Sequence, residues 1–184
     1  MYFASHYTIV TCILQVTIED ITVPIDLMLP LSIIFALISW TLIIHWYVHP
    51  KLKQHSVVII IEPILFLHTF RYVGLMFLIP GVTTEVLDPR FSFPAAYGDL
   101  IATILAFVAI GAIRLKANWA LFSVWLFNIW GMADLLNAVT RGIIFTKFGQ
   151  LGATYWIPAT IVPLLLVTHV YVFILLVQHM KRAK

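Results

Sequence analysis

Five runs of more than twenty mostly apolar residues, separated by short stretches of turn formers and charge, constrain this chain more than any other feature. They cover residues 28–48, 57–80, 95–115, 119–139 and 155–178. Crossing the ~30 Å hydrocarbon core of a bilayer takes about 20 helical residues at 1.5 Å each, so every run is long enough to span. Backbone polar groups in lipid must be satisfied within the segment, which makes the runs helices. A water-soluble alternative fails on composition. The chain is 62% hydrophobic and 10% charged, against about 25% charged residues in soluble domains. A chain of this length has too much surface to bury all five runs. The predicted fold is therefore an all-α integral membrane protein, a bundle of about five transmembrane helices.

The domain reading is a single transmembrane bundle over residues 28–184, preceded by an N-terminal extension over 1–27. The extension, MYFASHYTIVTCILQVTI and onward, is moderately apolar but carries Ser, His, Thr and Gln. It lacks the basic start and cleavage pattern of a signal peptide. A sixth span, an interfacial segment and an extension upstream of a start at Met28 are the three alternatives.

Loop cations orient the spans. Lys51, Lys53, Arg114, Lys116, Lys181, Arg182 and Lys184 fall on one side of a five-span bundle, and Arg90, Arg141 and Lys147 on the other. Cytoplasmic loops collect Lys and Arg, so the N-terminus is expected outside and the C-terminus in the cytoplasm; a sixth span would bring the N-terminus inside. Cations in membrane loops are not a nucleic-acid footprint, and no nucleic-acid partner is expected.

Several chemistries are unsupported. Cys12 is the only cysteine, so there is no internal disulfide, redox pair or cysteine-rich metal site. No lysine lies inside a span, which excludes a retinal Schiff base. No hydrolase or metalloprotease motif occurs, and no nucleophile stands beside a base, so the reading leans away from an enzyme. His45 and His49 have a spacing that can chelate a metal, but among Trp40, Trp46 and Tyr47 they read as part of an interfacial aromatic belt, and no metal site is predicted.

The functional argument rests on polar groups inside the spans, where an ionisable side chain costs about 2.5–3.5 kcal/mol on insertion scales and needs a partner. Counted from the outer ends of the runs, Asp99 and Asp134 lie roughly 6 and 8 Å deep and Arg71 about 13 Å, on a side chain long enough to reach outward. These three are expected to form a network, extended by Asn128 and by Asn137, which shares a helix face with Asp134 and Gly131. One reading makes the network a structural ion pair that fixes helix packing. The other makes Arg71, Asp99, Asp134, Asn128, Asn137 and His68 the lining of a cavity for a small polar ligand, an ion or a proton.

His68 and His169, on different helices at matching depth, form a second constellation. They are what a bis-histidine b-type haem needs, which makes haem b the alternative cofactor reading where otherwise none is predicted; the other reading is two neutral, hydrogen-bonded bundle histidines. Glu62, beside Pro63, either reaches the interface or starts a polar file through His68 and Arg71. Pro158 and Pro163 are expected to bend the last span. Expected partners are the lipid bilayer, a small polar ligand or proton, and a second copy of the chain or a membrane partner subunit.

The stretches MLPLSIIFALISW, LHTFRYVGLMFLIPGV, FPAAYGDLIATILA, FNIWGMADLLNA and GATYWIPATIVPLLLVTH resemble a family of small, uncharacterised bacterial inner-membrane proteins over residues 28–176. The resemblance implies a bacterial inner-membrane location and about five helices. It assigns no activity to any residue.

Overall fold

The computed structural model describes residues 25–52 and 56–182, with helices and no strand among them. The expectations for residues 1–24 lie outside the described residues. Helix α1 (Ile25–Ile43) continues through a π-helical turn (Ile44–Val48) into the short α2 (His49–Leu52). Helix α3 (Val57–Thr69) runs on as a 3-10 helix (Phe70–Leu78). Helices α4 (Pro89–Arg114) and α5 (Ala120–Phe145) follow. A 3-10 segment (Phe148–Thr154) and a π-helical turn (Ile157–Ile161) lead into α6 (Val162–Arg182). Five helical segments are long and apolar enough to cross a membrane: Leu27–Val48, Val57–Leu78, Pro89–Arg114, Ala120–Phe145 and Ile157–Arg182.

The third and fourth spans extend furthest past their apolar runs. The third span starts at Pro89, six residues before the expected 95. Asp88 is its N-cap, accepting a hydrogen bond from the Arg90 amide at 2.8 Å, and Pro89 occupies the first turn, where a missing N–H loses nothing. The Arg90 side chain also donates to Asp88 and holds this carboxyl down, at about 2. The fourth span ends at Phe145, six residues after the expected 139. Its extra turns are tied to α4 by Arg141 Nη1, which donates to the Arg90 carbonyl at 2.9 Å, and by Arg90 over the Phe145 ring at 4.3 Å. Hydropathy bounds the two runs at Pro94 and Thr140, whereas capping and cation contacts carry the helices on past them.

Helix α4 is the central element. Its buried face reads Ala95, Gly98, Ala102, Ala106, Ala109, Ala112, small residues at helical spacing that admit close approach of the 3-10 segment, α3 and α5. The interior forms three layers. Toward the end that carries Arg114, here the basic end, Ile61, Leu65, Ala106, Phe127, Val172 and Leu176 make one apolar cluster. Toward the opposite, capped end, Phe77, Leu87, Phe91, Ala95, Leu151 and Ile157 make another. A buried polar layer separates them, with His68, Arg71, Asn128, Asp134, Thr168 and His169. Loops close the capped end: Ala153 donates to the Val82 carbonyl at 3.0 Å and Thr84 to the Gln150 carbonyl at 3.1 Å. Gly152 makes this possible with φ +51°, and a Cβ there would meet the Thr84 amide at 2.9 Å.

Candidate functional site

The polar layer is built around Arg71, which stands second in the 3-10 segment with a fully buried side chain. Its Nε donates to Asp99 Oδ1 and its Nη2 to Asp134 Oδ2, both at 2.7 Å. Its Nη1 reaches the Gly131 carbonyl at 3.2 Å and His169 Nε2 at 3.2 Å. One guanidinium thus engages three other spans through its fork of donors, a geometry that a lysine could not reproduce.

The three charged groups share one depth. Asp99 is 10 residues from the start of its helix at Pro89 and Asp134 is 11 from the end of its helix at Phe145, or about 15–17 Å at 1.5 Å per residue. Arg71 is seven residues from the end of the 3-10 segment at Leu78, or about 14 Å at 2.0 Å per residue. The carboxylates therefore stand near the middle of their helices, which extend further than the apolar runs from whose ends roughly 6 and 8 Å were counted.

Glycines hollow out the space. A Cβ on Gly74 would collide with the Asp99 side chain, one on Gly98 with the Asp134 carboxylate, and one on Gly131 with Arg71 and His169. Of the three, Gly131 alone is singled out from the sequence. Gly98, next to Asp99 on the small-residue face of α4, and Gly74, three residues after Arg71, carried the same signal.

Histidine tautomers follow from the network. His169 Nδ1 lies 2.7 Å from Asn128 Oδ1, an acceptor, while the Asn128 amide donates to the His169 carbonyl at 3.1 Å. His169 thus donates from Nδ1 and accepts from Arg71 at Nε2, which is the neutral imidazole. Thr168 donates its hydroxyl to the Leu164 and Leu165 carbonyls, so at 2.9 Å it accepts from His68 Nε2. That leaves His68 Nδ1 as a wholly buried nitrogen with no hydrogen-bond partner. The two imidazoles pack at 4.2 Å between centroids, with Phe127 against both.

A b-type haem does not fit this arrangement. An iron would have to sit between the two rings with the macrocycle separating them, yet the rings touch, and each Nε2 already holds a partner. Among the described residues no group of three or more His, Cys, Asp or Glu side chains is placed to hold a metal ion.

Two expected members stand apart. Asn137 is exposed and accepts from Arg141 Nε at 2.9 Å. The buried stripe of α5 runs Val124, Phe127, Asn128, Gly131, Asp134, Leu135 and continues at Ala138, which turns Asn137 out of the network. Glu62 pairs with Arg114 at the basic end, with buried Ile61 and Leu65 between that end and His68. It is an end-of-helix ion pair and starts no polar file. At the basic end His49 Nδ1 lies 3.1 Å from the Tyr171 hydroxyl.

With both carboxylates ionised and His169 neutral, the centre holds one positive and two negative charges. Among the described residues no donor other than Arg71 reaches either carboxylate. The side chains of Asp99 and Asp134 retain 14% and 7% exposure, so the accessible edge of the centre is the acidic one.

Comparison with known proteins returns a family without an activity. Residues 28–177 match a domain of unknown function, DUF8737, and the chain belongs to that family. No curated protein and no solved structure matches it.

Proposed function

We propose that this DUF8737 member handles protons, or another small cation, through the Arg71–Asp99–Asp134 centre. The observation that carries the reading is the charge imbalance: one guanidinium faces two carboxylates at mid-span, beside an imidazole held neutral by Asn128. An excess charge in hydrocarbon surroundings is expensive, so the centre is completed by one further proton or cation. His68 supports the proton, since its Nδ1 lone pair lies free in the imidazole pair that contacts Arg71. The apolar clusters close the way along the bundle on both sides of the centre, so passage to either end requires movement of at least one cluster.

The test is a proton-flux assay in proteoliposomes with a trapped pH dye, driven by a potassium diffusion potential. The wild-type chain is expected to carry protons, and Asp134→Asn to fall to the level of protein-free liposomes while keeping its melting temperature within a few degrees. Wild-type vesicles as tight as empty ones overturn the reading. That outcome would favour a structural ion-pair centre, which draws support from the same closure and from the four spans that Arg71 ties together. A Soret band in the purified protein, lost in His169→Ala, would instead return haem to consideration.

The proposed location is the bacterial inner membrane with the C-terminus in the cytoplasm. It is supported by the family resemblance and by the seven loop cations assigned to the basic side against three on the other. An active alkaline-phosphatase fusion at the C-terminus would reverse the orientation.

A further inference from the structure

The first span leaves a groove on the membrane-facing side of the bundle. Helix α1 is pinned near the capped end by Ser32, whose hydroxyl lies 3.4 Å from that of Tyr155, and by Trp40, whose Nε1 donates to the Thr160 carbonyl at 3.3 Å. At the basic end it is pinned again by His49 on Tyr171. Between these points it packs on α6 but stands away from α5, and the three helices enclose a groove of about 630 Å³. The walls are apolar, with Leu37 and Ile44 facing Met132, Leu136, Leu166 and Val170. The basic end is polar, lined by His45, His49, Tyr171 and Gln178. A π-helical turn at Ile44–Val48 carries His45, and such turns are frequent at functional sites.

Length and charge identify an occupant. The groove runs from Leu37 to His49 on one wall and from Leu166 to Gln178 on the other, 12 residues or about 18 Å, close to one leaflet of a ~30 Å core. Lys181 and Arg182 follow Gln178 in the last turn of the same helix, and Lys51 and Lys53 follow His49 in the sequence. Two of the three wall helices offer no competing anion, since residues 27–56 and 157–184 contain no Asp or Glu; the one carboxylate of α5, Asp134, is engaged by Arg71. Basic sites between transmembrane helices suit anionic lipid headgroups. We infer that this groove holds one acyl chain of an anionic glycerophospholipid from the leaflet at the basic end, with its phosphate at His45, His49 and Gln178. The site is separate from the Arg71 centre and does not depend on how that centre works.

Native mass spectrometry of the full chain in detergent tests it, with dioleoylphosphatidylglycerol and dioleoylphosphatidylcholine titrated as probes. Wild type is expected to form a one-to-one adduct with phosphatidylglycerol at least about tenfold more readily than with phosphatidylcholine, a preference equivalent to about 1.4 kcal/mol. Val170→Trp and Leu136→Trp, placed at exposed groove positions to avoid disturbing the core, should each abolish the adduct. His45→Gln with His49→Gln should bring phosphatidylglycerol down to the phosphatidylcholine level. Equal binding of the two lipids by wild type overturns the inference. So does an adduct that survives both tryptophan variants, or a lipid-free dimer that Val170→Trp dissociates, since a second copy would then fill the groove.

Discussion

The first span and the fourth are both membrane helices, yet they are held by opposite means. Leu27–Val48 has a mean hydropathy of 2.4 with 6% of its window buried, while Ala120–Phe145 has a hydropathy of 1.2 with 39% buried. The less apolar helix is the more enclosed one. In water an all-round apolar helix belongs in the core; in lipid it can stand at the edge, because lipid is as good a surrounding as protein. The fourth helix is drawn inward by what lipid cannot supply: partners for Asp134 and Asn128, and a Gly131 that lets Arg71 and His169 approach. The first is attached by a few hydrogen bonds and by contact with the last span.

Substitutions can break or sharpen that contrast. The largest effect is expected from Arg71→Met, which leaves two carboxylates facing each other without their cation; removing one partner of a buried ion pair costs about 3–5 kcal/mol. Thermal or denaturant unfolding in detergent measures this. Combining it with Asp99→Leu and Asp134→Leu should recover most of the loss, since the burden is the unpaired charge. If Arg71→Met unfolds like wild type, the centre does not hold the four enclosed spans together.

A smaller effect, about 1–3 kcal/mol, is expected for Gly98→Ala, whose methyl group would enter the space of the Asp134 carboxylate. Gly111→Ala on the same helix is its control. Nothing lies within 4 Å of a Cβ there, so that change should be neutral or stabilising by up to about 1 kcal/mol through helix propensity. Equal effects at the two glycines would remove the packing argument. The smallest effect belongs to the first span. Trp40→Phe loses the hydrogen bond to the Thr160 carbonyl, about 0.6 kcal/mol for an interhelical bond in a membrane. A loss as large as that of Arg71→Met would show that the first span is integral to the core.

Much of this architecture is legible in the residue order, for a physical reason. Hydrocarbon solvent forces each span to satisfy its own backbone, so a run of sufficient length and apolarity is a helix whatever its neighbours do. The helix ends are less legible: Asp88, Pro89 and Arg141 look like the end of apolar sequence, although capping and cation contacts make them helix. The buried face of α5 was ambiguous by one position, since spacing groups Asn137 with Asp134 while packing selects Ala138.

By itself, then, the sequence determined an all-α membrane bundle, the number of spans among the described residues and the short list of polar groups inside them. These depend on local composition and on the solvent. Only the tertiary structure decided that Arg71 bridges both aspartates at once, that Gly74, Gly98 and Gly131 make the room, and that His68 and His169 touch with one nitrogen left over. Those outcomes turn on the rotation and depth of helices relative to one another. A shift of a few ångströms separates an ion pair from two isolated charges, and no periodicity within a single helix records it.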